Sequence, residues 1–141
     1  MKKIIPIILF SALLCCGCDF ALEHDDAALV FSAIPINRDT LSPDMIQNTF
    51  DKGQLIHYGV YSKEPFKTNE GKFQILKKDP NTQLYGFSYA QGGDICLSPG
   101  KNYYTGAFTI YSDGYYLLRI FAKTSPNDPI AQKTFWITQD N

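Results

Sequence analysis

From residue 27 onward the chain is a run of short segments in which apolar and polar side chains alternate, punctuated by Gly, Pro, Asn and Asp. Period-two alternation over five to nine residues is the pattern of half-buried β-strands. Residues 29–34 (Leu29, Val30, Phe31 and Ile34 among them) predict a first strand that ends near Pro35. Residues 54–62 predict a second, rich in Ile56, Tyr58, Val60 and Tyr61, the aromatic and β-branched types that suit a pleated surface. Glu64-Pro65 and Asn69-Glu70-Gly71 break the chain before residues 72–77, where Phe73 and Ile75 share a face. Asp79-Pro80-Asn81 marks a turn, after which residues 84–90 set Tyr85, Phe87 and Tyr89 against Leu84, Gly86, Ser88 and Ala90. Gly92-Gly93 reads as a further turn into a short strand over 94–97, and residues 98–101 as another.

In the last third, residues 103–111 place Ala107, Thr109 and Tyr111 on one face and Phe108 and Ile110 on the other. Ser112-Asp113-Gly114 then leads into residues 115–122, and a turn this short predicts that the two segments pair as a hairpin. A final strand is predicted over 131–138, containing Phe135, Trp136 and Ile137. Between the first two strands only Ser42, positioned to cap a short turn with Pro43 at its first residue, suggests helix. Seven to eight antiparallel strands with short turns and no long helix define an all-β chain, a β-sandwich of Greek-key type, as a single domain over residues 27–141.

One stretch refines that expectation. Asp113-Gly114-Tyr115-Tyr116-Leu117-Leu118-Arg119-Ile120 resembles the strand that carries the tyrosine corner of immunoglobulin-like domains, with Tyr116 at the tyrosine and Gly114 two residues before it. The resemblance implies that the Tyr116 hydroxyl ties back to an earlier loop. Leu118 stands where the disulfide cysteine of that family would be, so the implied domain is disulfide-free. A transthyretin-like strand order fits the same alternation.

The first eighteen residues are of another kind. Lys2 and Lys3 precede an apolar stretch over residues 4–14, and polar chain begins at Asp19. This is the layout of an export signal, too short to span a bilayer comfortably. Its end, Leu13-Leu14-Cys15-Cys16-Gly17-Cys18, resembles the lipobox of bacterial lipoproteins. The resemblance implies cleavage after Gly17, a diacylglycerol thioether on Cys18 and a further acyl chain such as palmitate on the new N-terminus. Cys15 departs from the leucine common at its position; reading Cys16 as the modified residue restores Leu13 there but sets Cys15 beside the cut, and the small Gly17 favours Cys18. Residues 1–17 are then a signal peptide and residues 18–26, with Glu23, Asp25 and Asp26, a short acidic tether. The expected location is exported and lipid-anchored to a bacterial membrane. Asp19 points to the periplasmic face of the inner membrane in a host with two membranes; otherwise the cell surface or the outer membrane is implied. Two acyl chains anchor firmly where one holds only marginally.

Removal of residues 1–17 leaves 124 residues with 11 basic and 14 acidic side chains, enough for one core and without the basic surplus that nucleic acid requires. The lipid on Cys18 would be the only covalent group, and no cofactor is expected. Cys96, flanked by Ile95 and Leu97, is expected to be a buried, inert thiol. His24 and His57 belong to no metal-ligand spacing, and neither G-x-S-x-G nor a phosphate-binding glycine loop occurs, so the chain reads as non-catalytic. Its surplus is aromatic: nine tyrosines, ten phenylalanines and Trp136. Adjacent strand residues face opposite ways, so Tyr103/Tyr104 and Tyr115/Tyr116 cannot all be core, and Tyr103, Tyr104, Tyr111 and Tyr115 form the candidate binding surface. Two functions follow: docking of an envelope protein through a sheet face or edge, or binding of a glycan or other small ligand by exposed tyrosines.

Overall fold

In the computed structural model residues 27–79 and 86–139 are described; residues 1–26, where the expected signal, tether and Cys18 fall, lie outside them. Eight strands form: β1 Ala27–Ser32, β2 Thr49–Asp51, β3 Leu55–Ser62, β4 Glu70–Lys78, β5 Phe87–Cys96, β6 Tyr103–Thr109, β7 Gly114–Ala122 and β8 Ala131–Thr138. A single 3-10 turn, Pro43–Met45, has Pro at its start as its fixed φ favours, and Ser42 spends its hydroxyl on Asp44 rather than on a cap. The strands make two sheets, β1-β3-β6 and β2-β8-β7-β4-β5.

The alternation seen in the sequence decides what faces the space between the sheets. Leu29 and Phe31 of β1, Ile56, Tyr58 and Val60 of β3, Phe108 of β6, Ile75 of β4, Tyr116, Leu118 and Ile120 of β7, and Phe135 and Ile137 of β8 are all buried there. Phe135 is the hub, with ring centroids 5.1 Å from Phe31, 5.4 Å from Phe108 and, stacked, 5.5 Å from Tyr116. Each such ring or aliphatic side chain contributes about 1.5–3 kcal/mol on leaving water, which is how two sheets of modest size hold together.

Several expectations are corrected. Strands β6 and β7 are no hairpin: β6 pairs only with β3, while β7 pairs with β4 and β8 in the opposite sheet. The connection instead crosses between sheets, and the Tyr116 hydroxyl pins it by donating to the Ser112 carbonyl at 2.8 Å. This is the tyrosine corner that the sequence resembled. The strands are not all antiparallel, since β2 runs parallel to β8, with Phe50 opposite Ile137. Residues 87–96 are one strand, not two: β5 passes through Gly92-Gly93, and its only irregularity is a register shift opposite Ile75/Leu76. Both glycines pair with β4, opposite Gln74 and Phe73, and the close approach of neighbours leaves little room for a side chain: a Cβ on Gly92 would stand 2.9 Å from the Phe73 carbonyl oxygen and from the Tyr89 hydroxyl, and one on Gly93 3.0 Å from the Phe73 ring. Cys96, at the end of β5, is exposed rather than buried.

Residues 33–48 carry the chain from the edge of one sheet to the edge of the other, and on the way they lie over the outer face of β1-β3-β6. A Cβ on Gly59 would meet Ile36 at 3.3 Å, and the Arg38 guanidinium sits 5.3 Å from the centroid of the Tyr103 ring. Ser32 is fully buried under this cover, its hydroxyl accepting from the Ile34 amide at 3.2 Å. Among the described residues no comparable segment crosses the outer face of the five-stranded sheet.

Candidate interaction face

On that uncovered face the register lines up side chains in rows across the strands. Lys78 lies opposite Phe87, and Tyr115 opposite Trp136, while Tyr116 and Phe135 beside them point into the core. The outward rings touch in sequence: Phe87 to Tyr115 at 6.1 Å and Tyr115 to Trp136 at 4.5 Å between centroids, tilted by 41° and 44°. Lys78 adds its ammonium 5.8 Å from the Tyr115 centroid, a cation–π contact. The next row holds Tyr89, Leu76, Leu117 and Thr134, all in register. Beyond it come Gln74, Arg119 and Gln132. Trp136 is 52% exposed and Tyr89 65%, large values for side chains of this size outside any binding surface.

The four tyrosines singled out in the sequence do not form one surface. Tyr115 is central to the row just described. Tyr104 packs inward against the core, its ring 6.1 Å from that of Tyr58. Tyr103 faces outward on the other sheet, between Arg38 and Lys101. Tyr111 is 79% exposed and lies against Gly53 at one end of the sandwich. Sequence reasoning passed over Trp136, Phe87 and Tyr89 as site residues. For Trp136 the signal was present: Phe135 and Ile137 claim the core, so the lone tryptophan between them must face out.

Two hollows flank the sheets. One of about 250 Å³ opens between β5 and the corner connection, lined by Ala90, Gln91, Thr109, Ile110, Tyr111, Ser112 and Tyr116. Beside it the Lys77 ammonium donates to the Ser112 hydroxyl at 2.8 Å, and that hydroxyl lies 2.9 Å from the Tyr116 hydroxyl. The second, about 220 Å³, lies at the opposite end between residues 62–68 and 122–130, with Phe66, Leu97 and Ile130 in its walls. Ala27 pairs with Ser62, so the chain enters the domain at this second end. The Phe87–Tyr115–Trp136 row lies at the other, beside the start of β7 and the end of β8.

Among the described residues no group of three or more His, Cys, Asp or Glu is arranged to hold a metal, and no helix is long and apolar enough to cross a membrane. What the face offers is contact chemistry: aromatic and aliphatic area, one ammonium at the ring row, and amide and guanidinium donors behind it.

No protein-family model matches the chain, and no curated protein matches it. Solved structures do. The soluble domain of PmoD from Methylocystis sp. ATCC 49242 (Rockwell) superposes with a TM-score of 0.50 at 12% identity, over 82% of this chain and 94% of that one. An immunoglobulin-like protein from Pseudomonas aeruginosa gives 0.46 at 11%, over 82% and 94%. A Niemann-Pick type C2 protein from the Japanese carpenter ant gives 0.46 at 7%, over 80% and 89%. At such identities likeness speaks for fold alone. The two-sheet topology makes this chain an all-β β-sandwich, and the likeness to the PmoD soluble domain agrees with that fold.

Proposed function

We propose that the protein is an exported lipoprotein, tethered through an acylated Cys18, whose sandwich is a non-catalytic interaction module of the cell envelope, docking a second envelope protein on the outer face of the five-stranded sheet. The observation that carries this reading is the uncovered ring row Phe87–Tyr115–Trp136 with Leu76 and Leu117 behind it. Aromatic side chains of this kind give large contact area at small cost in rotamer entropy, and partner hot spots are enriched in them. The anchor reading agrees with the geometry. A tether over residues 18–26 joins at the end that carries Ala27 and Ser62, and the ring row lies at the end away from it. The tilts of 41° and 44° between successive rings make a ridged surface suited to interdigitating side chains rather than a level platform for sugar rings.

The test is a photo-reactive amino acid at position 136 in the membrane-bound protein, with position 105 on the opposite sheet as control. One protein cross-linked in stoichiometric yield at 136 and not at 105 is the expected result. Retention on immobilised saccharide without a cross-linked protein would replace docking by glycan binding. Intact mass is expected to show acyl chains on Cys18, and Cys18→Ser to release the protein from membranes.

A further inference from the structure

Farther along β7 from the ring row, the open face turns from aromatic to cationic. Ile120 points into the core, so Arg119 and Phe121 on either side of it point out, and Lys72 of β4 stands opposite Phe121. Phe121 is buried yet lies outside the core cluster, and two cations sit over it: the Arg119 guanidinium 4.9 Å from the ring centroid and the Lys72 ammonium 5.1 Å from it. Two like charges over one ring repel each other and call for an anion beside them. The described residues supply none. Asp94, directly opposite Lys72 on β5, pairs instead with Lys123 at 3.1 Å, and Glu70, two positions before Lys72, is exposed and paired with neither cation. Hydrogen bonding is incomplete as well, because the Arg119 Nε–H is cut off from solvent and has no acceptor. Gln74 and Gln132 flank Arg119 in register on β4 and β8, each with an amide that can donate. The patch is therefore rich in donors and short of negative charge.

We infer that Lys72 and Arg119 form a carboxylate-binding site, the polar half of the docking face, which takes an Asp or Glu side chain of the partner protein. This rests on the docking reading above and adds the chemistry of the partner. A guanidinium fork matches both oxygens of a carboxylate, and the ammonium beside it adds a point charge. Arg119 follows Tyr115 by four positions on β7, about 13 Å along the strand, so the partner carries its acid about that far from the apolar group that meets the ring row. An anionic bilayer fits less well. Such a surface recruits clusters of about four to eight basic side chains. Here Asp94 neutralises Lys123, which leaves Lys72 and Arg119 as the unpaired cations of this patch.

Membranes carrying the full chain are treated with a water-soluble carbodiimide, which joins an ammonium to a carboxylate in contact with it, and the products are mapped by mass spectrometry. The expected product is an amide between Lys72 and an Asp or Glu of the same protein that position 136 captures. Lys72→Gln combined with Arg119→Gln is expected to lower capture at 136 roughly tenfold or more while the melting temperature moves by only a few degrees. Lys72→Arg is expected to keep capture and lose the amide, and Arg119→Glu to lose capture until the partner's linked acid is replaced by Lys. The carbodiimide map needs no substitution, so a variant that fails to fold leaves it decisive. A Lys72 amide only to Asp94 or Glu70 of its own chain, or undiminished capture in the double variant, removes the carboxylate site and leaves the docking reading standing. Absence of capture at 136 in the unsubstituted chain overturns both. Binding to phosphatidylglycerol vesicles that the double variant abolishes, again without capture, also overturns both and assigns the patch to a membrane surface.

Discussion

The two outer faces of the sandwich have similar raw material and different fates. On the three-stranded sheet, Tyr61 and Tyr103 stand in register, and residues 33–48 return over them, with Ile36 against Gly59 and Arg38 on Tyr103. On the five-stranded sheet, Phe87, Tyr115 and Trp136 form an equally aromatic row and nothing in the described chain returns over it. The first face uses its rings to hold its own connection, a debt of fold topology because β1 and β2 belong to different sheets. The second carries the same kind of side chain without an internal use for it. A buried tyrosine needs no explanation beyond packing; a half-exposed tryptophan in contact with two other rings does.

If that contrast is sound, substitutions on the two faces separate binding from stability. The largest effect is expected from Trp136→Ala combined with Tyr115→Ser. Loss of two central rings is expected to weaken partner capture about a hundredfold, near 3 kcal/mol, while the melting temperature moves by only a few degrees. A cooperative loss of fold in this variant would mean that the open face is structural after all. On the covered face the order reverses. Gly59→Val puts a Cβ 3.1 Å from the Tyr61 ring and 3.3 Å from Ile36, and overpacking of this kind costs about 1–3 kcal/mol. Urea denaturation is expected to show that loss with partner capture intact. A smaller effect, about 1–2 kcal/mol, is expected for Tyr116→Phe, which removes the hydroxyl that donates to the Ser112 carbonyl and lies 2.9 Å from the Ser112 hydroxyl, two part-buried hydrogen bonds. Because Tyr115 is the next residue, faster amide exchange over 110–115 in this variant would show that the corner also fixes where the ring row begins.

How much of this was legible beforehand differs between strand and sheet. Strands β3, β7 and β8 are found within a residue or so of their limits because alternation is local. Phe108 and Ile110 share a face as read, the buried one, and the tyrosine corner forms at the residue the resemblance pointed to. What failed depended on partners remote in sequence. Gly92-Gly93 carries the composition of a turn, and only its pairing with Gln74 and Phe73 of β4, about twenty residues away, makes a strand of it. Ser112-Asp113-Gly114 has the residues of a hairpin turn, yet Phe108 and Tyr116 are both core residues of opposite sheets, so the chain must cross. Strand β2 has three residues, too few for any period, and its parallel pairing with β8 is set wholly by the path of residues 33–48. The candidate site suffered for the same reason. Parity shows that Trp136 faces outward, but which outer face stays open is decided by a connection whose sequence says little about where it lies.

The effect that is smallest at neutral pH, where it vanishes, concerns the covered sheet alone and is read by raising the pH. Burial holds the Tyr58 phenol protonated far above its usual range, and the adjoining Tyr104, through its charge when ionised and its hydrogen bond, pushes the same way. Tyr61 is raised too, by burial first, with Arg38 opposing and Tyr103 assisting. An unfolded tyrosine gives up its proton near pH 10, so above that pH the unfolded chain holds fewer protons than the folded one and stability must fall as pH rises. Below pH 10 both states keep the proton and these phenols impose no slope. For Tyr58 alone the slope approaches about 1.4 kcal/mol per pH unit once the unfolded phenol is fully ionised. Urea denaturation between pH 9 and 11.5 is expected to show this decline, and Tyr58→Phe to flatten it by up to that amount. An unchanged slope in Tyr58→Phe would mean that the alkaline loss arises elsewhere, and that β3 is less tightly sealed between core and covering segment than its burial implies.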